Sequence, residues 1–388
     1  MIAALFFTWS ATALILTINA LRKPVPPGKG LPPLWLPAML VSELAPWLLV
    51  VRAGLASLFV LADSLHLGVG RVALALFVFA EIGLIVLMRR SWRAALDTGM
   101  RPGIFDLWRV RIGVPDGVSI SESERYADGL AMNIYSRQGL ESAPALIYLH
   151  PGSWMRGGPG RQARPLLYDL ASRGWVVLDI RYPLSPAATF PEHLIGVKRA
   201  IAWAKADALD LGIDPDRVAI AGASSGAHLA ALAALTENVE GLQPGFEDAN
   251  TSLIACVPHY GIYDLLVRNG TRYDWPFIAS HVMKSSPGES PELYRLGSPI
   301  DLAHRHAPPF LLVHGEYDSL VLPAESVHFV EALQSEGAPA TYREVAGGQH
   351  GFDAFASLRA RAVGAMVVGF LEARASDVLS QRTQPQGH

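Results

Sequence analysis

A serine framed by two glycines, a loop carboxylate and a loop histidine are residue types that together can carry out nucleophilic acyl chemistry. Gly222, Ala223, Ser224, Ser225 and Gly226 spell G-x-S-x-G directly after the apolar run 217–221 and before an Ala/Leu-rich helical stretch. A sharp strand-to-helix turn needs both glycines, because the strained backbone at the serine leaves no room for flanking side chains and pushes the hydroxyl above the sheet. The helix that follows also turns its positive dipole end toward developing negative charge. A Ser/Gly-rich helix cap is the alternative reading of the same five residues. Partners of such a nucleophile follow it in the order acid, then histidine. Beyond residue 318 only His328, His350 and His388 remain; His328 falls in a helical stretch, His388 ends the chain, and His350 sits in the loop 347–351 after the expected strand 341–345. His350 is therefore the expected general base. Asp318 follows the apolar run 309–314, lies 94 residues after Ser224 and 32 before His350, and is the expected orienting acid. Glu316 and Asp264 are the alternative carboxylates.

Stabilising a tetrahedral oxyanion requires backbone N–H donors. The run His150, Pro151, Gly152, Ser153, Trp154 follows the apolar stretch 145–149 and is a variant of the H-G-G-G loop that supplies them. Proline has no N–H, so the expected donors are Gly152 and Ser153, with Ser225 just after the nucleophile. A serine at 153 is bulkier than glycine and is expected either to narrow the acyl pocket or to redirect one donor. His150 is expected to pin the loop rather than to catalyse. Trp154, Met155 and the segment 272–283 are expected to shape the pocket.

Those loops need a scaffold. Short β-rich runs at 145–149, 175–180, 217–221, 253–257, 309–314 and 341–345 alternate with helical patterns at 191–210, 225–235, 323–334 and 352–373. That alternation predicts a doubly wound, mainly parallel α/β sheet, whose ligands bind beyond the carboxyl ends of the strands.

The first roughly 90 residues are different in kind. Residues 2–21 form an uncharged apolar stretch long enough to cross a bilayer as a helix. A cleaved signal peptide is the competing reading, but the segment lacks a basic n-region and its apolar run is long. Residues 34–51 and 72–88 are further candidate spans, interrupted by Glu43 and Pro46 and by Glu81; Arg52 is the nearest candidate partner for Glu81. Basic residues follow the first run at Arg22, Lys23 and Lys29 and the last at Arg89, Arg90 and Arg93, which places both junctions in the cytoplasm if the chain crosses three times. The expected organisation is thus 1–100 membrane-anchoring helices, 105–375 a cytoplasmic catalytic domain and 376–388 an unstructured tail.

Composition narrows the partners. With 32 basic against 35 acidic residues and a net charge of −3, no basic footprint for nucleic acid exists. The single cysteine, Cys256, excludes an internal disulfide and lies in an apolar run where an inert buried thiol is expected. No H-E-x-x-H zinc pattern or G-K-[ST] phosphate loop occurs, and the chemistry requires neither metal nor organic cofactor.

Taken together, residues 120–373 resemble the α/β-hydrolase superfamily and, within it, the hormone-sensitive-lipase-like carboxylesterases. The resemblance rests on 150–154 as oxyanion loop, 179–184 as the strand-end segment Asp-Ile-Arg-Tyr-Pro-Leu, 222–226 as the elbow, 314–318 with its acid, and His350. Departures are Pro151, Ser153 and Ser225, the last where many relatives carry alanine. The resemblance implies hydrolysis of a small-molecule or lipid acyl ester through an acyl-enzyme, and the hydrophobic N-terminus resembles that of membrane-anchored bacterial esterases and lipases. Kynurenine-formamidase-like arylformamidases share the loop and elbow, so an amide is the competing substrate. A non-catalytic hydrolase-fold membrane protein is the competing class, against which the intact triad argues.

Overall fold

Unbroken apolar sequence near the N-terminus can bury its backbone polar groups only as helices, and four form. In the computed structural model, which describes residues 1–383, these are α1 (Ile2–Leu21), α2 (Trp35–Glu43), α3 (Ala45–Leu61) and α4 (Gly68–Asp97). The expected span 34–51 is broken: α2 and α3 meet at an angle of 83° about Leu44, with Pro46 opening α3 where its missing N–H is harmless. The chain falls into two compact units. The first comprises Met1–Ile112, Gly315–Leu322 and Val345–Val363; the second comprises Gly113–His314, Pro323–Glu344 and residue 364 onward.

In the first unit, one apolar cluster joins Phe6, Ala56 and Ala73 with Phe59, and another joins Ala20, Leu84 and Leu87 with Leu48 and Leu49. Residue numbers therefore climb together along α1 and α4 and run oppositely along α3. α1 and α4 are parallel, α3 is antiparallel to both, and Gly83 lets α4 close on α1, since a Cβ there would stand 2.4 Å from Thr17 Cγ2. Arg52 Nη1 donates to Thr17 Oγ1 at 3.0 Å and lies 3.9 Å from Glu81, the expected pair.

The second unit is built on an eight-stranded sheet. Its strands are β1 (Val118–Ala127), β2 (Leu130–Arg137), β3 (Ala143–Leu149), β4 (Val176–Ile180), β5 (Ile213–Ala223), β6 (Cys256–His259), β7 (Phe310–Gly315) and β8 (Ala340–Val345), in the order β1-β2-β4-β3-β5-β6-β7-β8. β4, β3, β5, β6 and β7 are parallel, and β1 and β2 add an antiparallel edge. Helices α5 (Arg164–Ser172), α6 (Glu192–Ala206), α7 (Ala208–Leu211), α8 (Ser225–Leu235), α9 (Pro291–Leu296) and α10 (Ala324–Ser335) connect them. The central strands are buried on both faces, as their continuous apolar runs require, and every residue of α8 is buried. The last helix, α11 (Leu358–Thr383), continues into the segment expected to be an unstructured tail, because Arg382 pairs with Asp214 and Asp216; residues 384–388 lie outside the described residues.

Candidate active site

Strand β5 delivers the chain to Ser224 and α8 leaves from it. Ser224 has φ 54° and ψ −118°, a conformation that costs a non-glycine residue about 1–3 kcal/mol. The turn is this tight because its glycines touch neighbouring backbone: a Cβ on Gly222 would lie 2.5 Å from Gly226 O, and one on Gly226 would lie 2.2 Å from Leu149 O and 2.6 Å from His150 O. Gly226 thereby lets the elbow close on the end of β3, the strand that runs into the loop 150–154. Ser224 N donates to His259 O at 3.0 Å, tying the elbow to β6 as well.

Gly152 has φ 148°, and Ser153 and Trp154 both adopt left-handed backbone at 55° and 59°. A Cβ at 152 would stand 1.7 Å from Arg156 O, so glycine is required there. Successive unusual dihedrals of this kind turn consecutive N–H groups into a concave donor site. The loop is anchored at both ends. Tyr182 stacks on His150 with ring centroids 4.4 Å apart, donates to His150 O at 3.0 Å and sits 3.1 Å from Ser225 Oγ. Burial holds the His150 imidazole down to about 4, so it is neutral at neutral pH, as a loop pin should be. Trp154 is wholly buried rather than lining an open cleft: its Nε1 donates to His228 Nδ1 at 3.1 Å, and His228 Nε2 donates to Gly297 O at 2.7 Å. Met155 is exposed. Within 272–283, Arg272 is buried and donates to Asp264 O and Leu265 O, while Ile278, Val282 and Met283 are buried apolar residues.

Asp318 and His350 belong to the first unit and are paired. His350 Nδ1 donates to Asp318 Oδ2 at 2.7 Å, and Asp318 Oδ1 accepts from Leu320 N and Val321 N, both at 2.9 Å. Fully buried and holding three donors, the carboxylate fixes the imidazole tautomer with Nδ1 protonated and Nε2 basic. The loops that carry Asp318 and His350 also pair through their backbones, Glu316 N to Val345 O at 3.0 Å and Tyr317 N to Gly348 O at 2.8 Å. The alternative acids are committed elsewhere: Glu316 accepts from Gly347 N at 3.0 Å, and Asp264 is held by Arg268 with Leu266 N and Arg268 N. His328 lies on α10, and His388 is outside the described residues.

The six expected residues thus fall into two groups. Ser224, Ser225, Gly152 and Ser153 share the second unit; Asp318 and His350 share the first. Sequence reasoning missed Trp35, whose indole meets the His350 imidazole in a T-shaped pair with centroids 5.7 Å apart, because nothing in an apolar N-terminal stretch advertises a neighbour three hundred residues later.

A family profile described as BD-FAE matches residues 132–333. The chain is 44% identical over 231 residues to "Esterase LipQ" of Mycobacterium tuberculosis, an alignment covering 59% of this chain and 55% of that protein. It is 34% identical over 390 residues to "Probable carboxylic ester hydrolase LipM" of the same organism, covering 92% of this chain and 90% of the other, so most of the helical N-terminus has a counterpart there. Among solved structures, the "Truncated form of carbohydrate esterase from gut microbiota" superposes with a TM-score of 0.59 at 23% identity over 68% of this chain and all of that one, a likeness of fold.

Proposed function

The chain belongs to the hormone-sensitive-lipase-like carboxylesterases of the α/β-hydrolase fold, and on that footing we propose that Ser224, His350 and Asp318 form its catalytic triad and hydrolyse a hydrophobic acyl ester. The observation that carries the assignment is the Asp318–His350 bond of 2.7 Å, on a carboxylate whose other oxygen is already satisfied. In this reading His350 Nε2 removes the proton of Ser224 Oγ as the oxygen attacks the ester carbonyl. Backbone N–H groups of Gly152, Ser153 and Ser225 hold the resulting oxyanion. Collapse breaks the bond to the alkoxy oxygen, the imidazolium returns its proton to the departing alcohol, and an acyl-Ser224 ester remains. Water, deprotonated by the same imidazole, then cleaves that ester and frees the acid and the serine. Asp318 orients the ring and stabilises the imidazolium without taking the proton.

The same proposal places the helical segment in a membrane. α1 and α4 are long and apolar enough to cross one, and α2 with α3 could supply a broken third span. Their outward residues, among them Leu5, Ile15, Val72, Phe79 and Ile82, are large and apolar, as lipid-facing positions require. Because α1 and α4 are parallel, the basic residues that end them share one side, in keeping with three crossings and a cytoplasmic face there. An esterase held at a bilayer suits substrates that partition into it.

Hydrolysis of a p-nitrophenyl ester series from acetate to laurate by detergent-solubilised protein, beside Ser224→Ala, tests the assignment. Turnover that disappears in the variant supports it. Turnover that survives the substitution overturns it, and turnover confined to N-formyl arylamides would move the substrate class to amides.

A further inference from the structure

The catalytic acid and base loops pack with the N-terminal helices, and α2 is the element that reaches them. Its start is gripped from α1: Leu34 N donates to Asn19 Oδ1 at 2.8 Å and Asn19 Nδ2 donates to Leu34 O at 2.9 Å. Its end is gripped from α11: the Glu43 carboxylate pairs with Arg359 and accepts from Ser357 Oγ at 2.6 Å. Arg359 Nε in turn donates to Ala346 O at 3.1 Å, four residues before the base. Between these two clamps Trp35 lays its indole at 80° to the His350 imidazole. The T-shaped arrangement is one that ring quadrupoles favour.

We infer that Trp35 is a positioning residue for His350, so that the helical segment is a working part of the catalytic centre and not only an anchor. The inference rests on the triad assignment. A ring fixed through Asp318 on one nitrogen can still rock about that bond, and a rigid aromatic wall restricts the motion. Ring placement governs the proton transfer that follows binding, so the effect belongs to kcat rather than KM.

The test uses the full chain in detergent with p-nitrophenyl butyrate, comparing wild type, Trp35→Ala, Trp35→Leu and Trp35→Phe, with Ser224→Ala as blank. The expected result is a fall in kcat of about tenfold or more in Trp35→Ala and Trp35→Leu, KM within about threefold, and recovery of most of the rate in Trp35→Phe. Trp35→Leu keeps an apolar filler, so it reports on the aromatic wall even where Trp35→Ala does not fold. A Trp35→Leu protein with wild-type kcat, or a loss expressed only in KM, overturns the inference while leaving the triad intact. Absence of Ser224-dependent turnover in the wild type would remove the triad assignment and this inference with it.

Discussion

Glu43 at the end of α2 and Arg359 at the start of α11 form an ion pair whose side chains expose no surface at all. Glu43 is held also by Ser357, and Arg359 also by the carbonyl of Ala346, so the pair joins the N-terminal helices to the loop that carries His350. Removing one partner of such a pair strands a buried charge, which typically costs about 3–5 kcal/mol. Arg359→Met alone should therefore lower the denaturant midpoint sharply and reduce esterase activity with it. Replacing both partners, Glu43→Leu with Arg359→Met, should recover part of the stability. A single variant as stable as wild type would show that the pair braces nothing.

Gly226 is predicted to tolerate no side chain. Its added Cβ would meet Leu149 O at 2.2 Å and His150 O at 2.6 Å. Gly226→Ala must then push the elbow away from the loop 150–154, which holds the proposed oxyanion donors. Loss of one donor to an oxyanion costs about 100- to 1,000-fold in kcat. A fall of about 100-fold or more in kcat/KM is expected for Gly226→Ala, against little change for Gly369→Ala, where the added Cβ meets nothing within 4 Å on a distant helix.

Burial raises the Asp179 carboxyl from 3.8 to about 7, against the lowering effect of bonds from Gly160 N and Tyr135. The folded protein therefore binds a proton that the unfolded chain releases between about pH 4 and pH 7, and this group's contribution to stability declines as pH rises through that window. Asp179→Asn keeps an acceptor for Gly160 N and removes the titration. Relative to wild type it should gain stability between pH 5 and pH 8, by an amount on the order of 2 kcal/mol. Urea midpoints at the two pH values measure this; parallel shifts in both proteins would contradict it.

The membrane arrangement predicts opposite accessibility for two connections. Lys29 lies between α1 and α2, Asp63 lies between α3 and α4, and both are exposed, whereas the native Cys256 is fully buried. Asp63→Cys should react with an impermeant maleimide in intact cells, and Lys29→Cys only after permeabilisation. The reverse pattern would invert the orientation.

Much of the second unit was legible in the sequence because its constraints are local. The glycines at 222 and 226 are needed for a turn that their own neighbours define, and the β-branched runs of β3, β4, β5 and β7 are buried on both faces and so stand out as apolar stretches. β6 begins at Cys256, short of the expected 253–257, because Leu253 and Ile254 still approach from a loop. β1 and β2 escaped notice, since an edge hairpin with Glu122, Glu124 and Arg125 exposed reads as a polar loop. The role of α2 was illegible for a different reason. Glu43 looks in sequence like a flaw in a membrane span; its meaning comes from Arg359, 316 residues away. Trp35 against His350 is the same kind of contact, visible only once the chain has folded.

Covalent trapping bears most directly on the central claim. Protein turning over p-nitrophenyl butyrate is quenched in acid within the first turnovers, digested, and its peptides weighed. A butyryl group is expected on the peptide carrying Ser224 and is expected to be absent in Ser224→Ala. Turnover with no acylated peptide, or with the acyl group on another residue, would contradict the account.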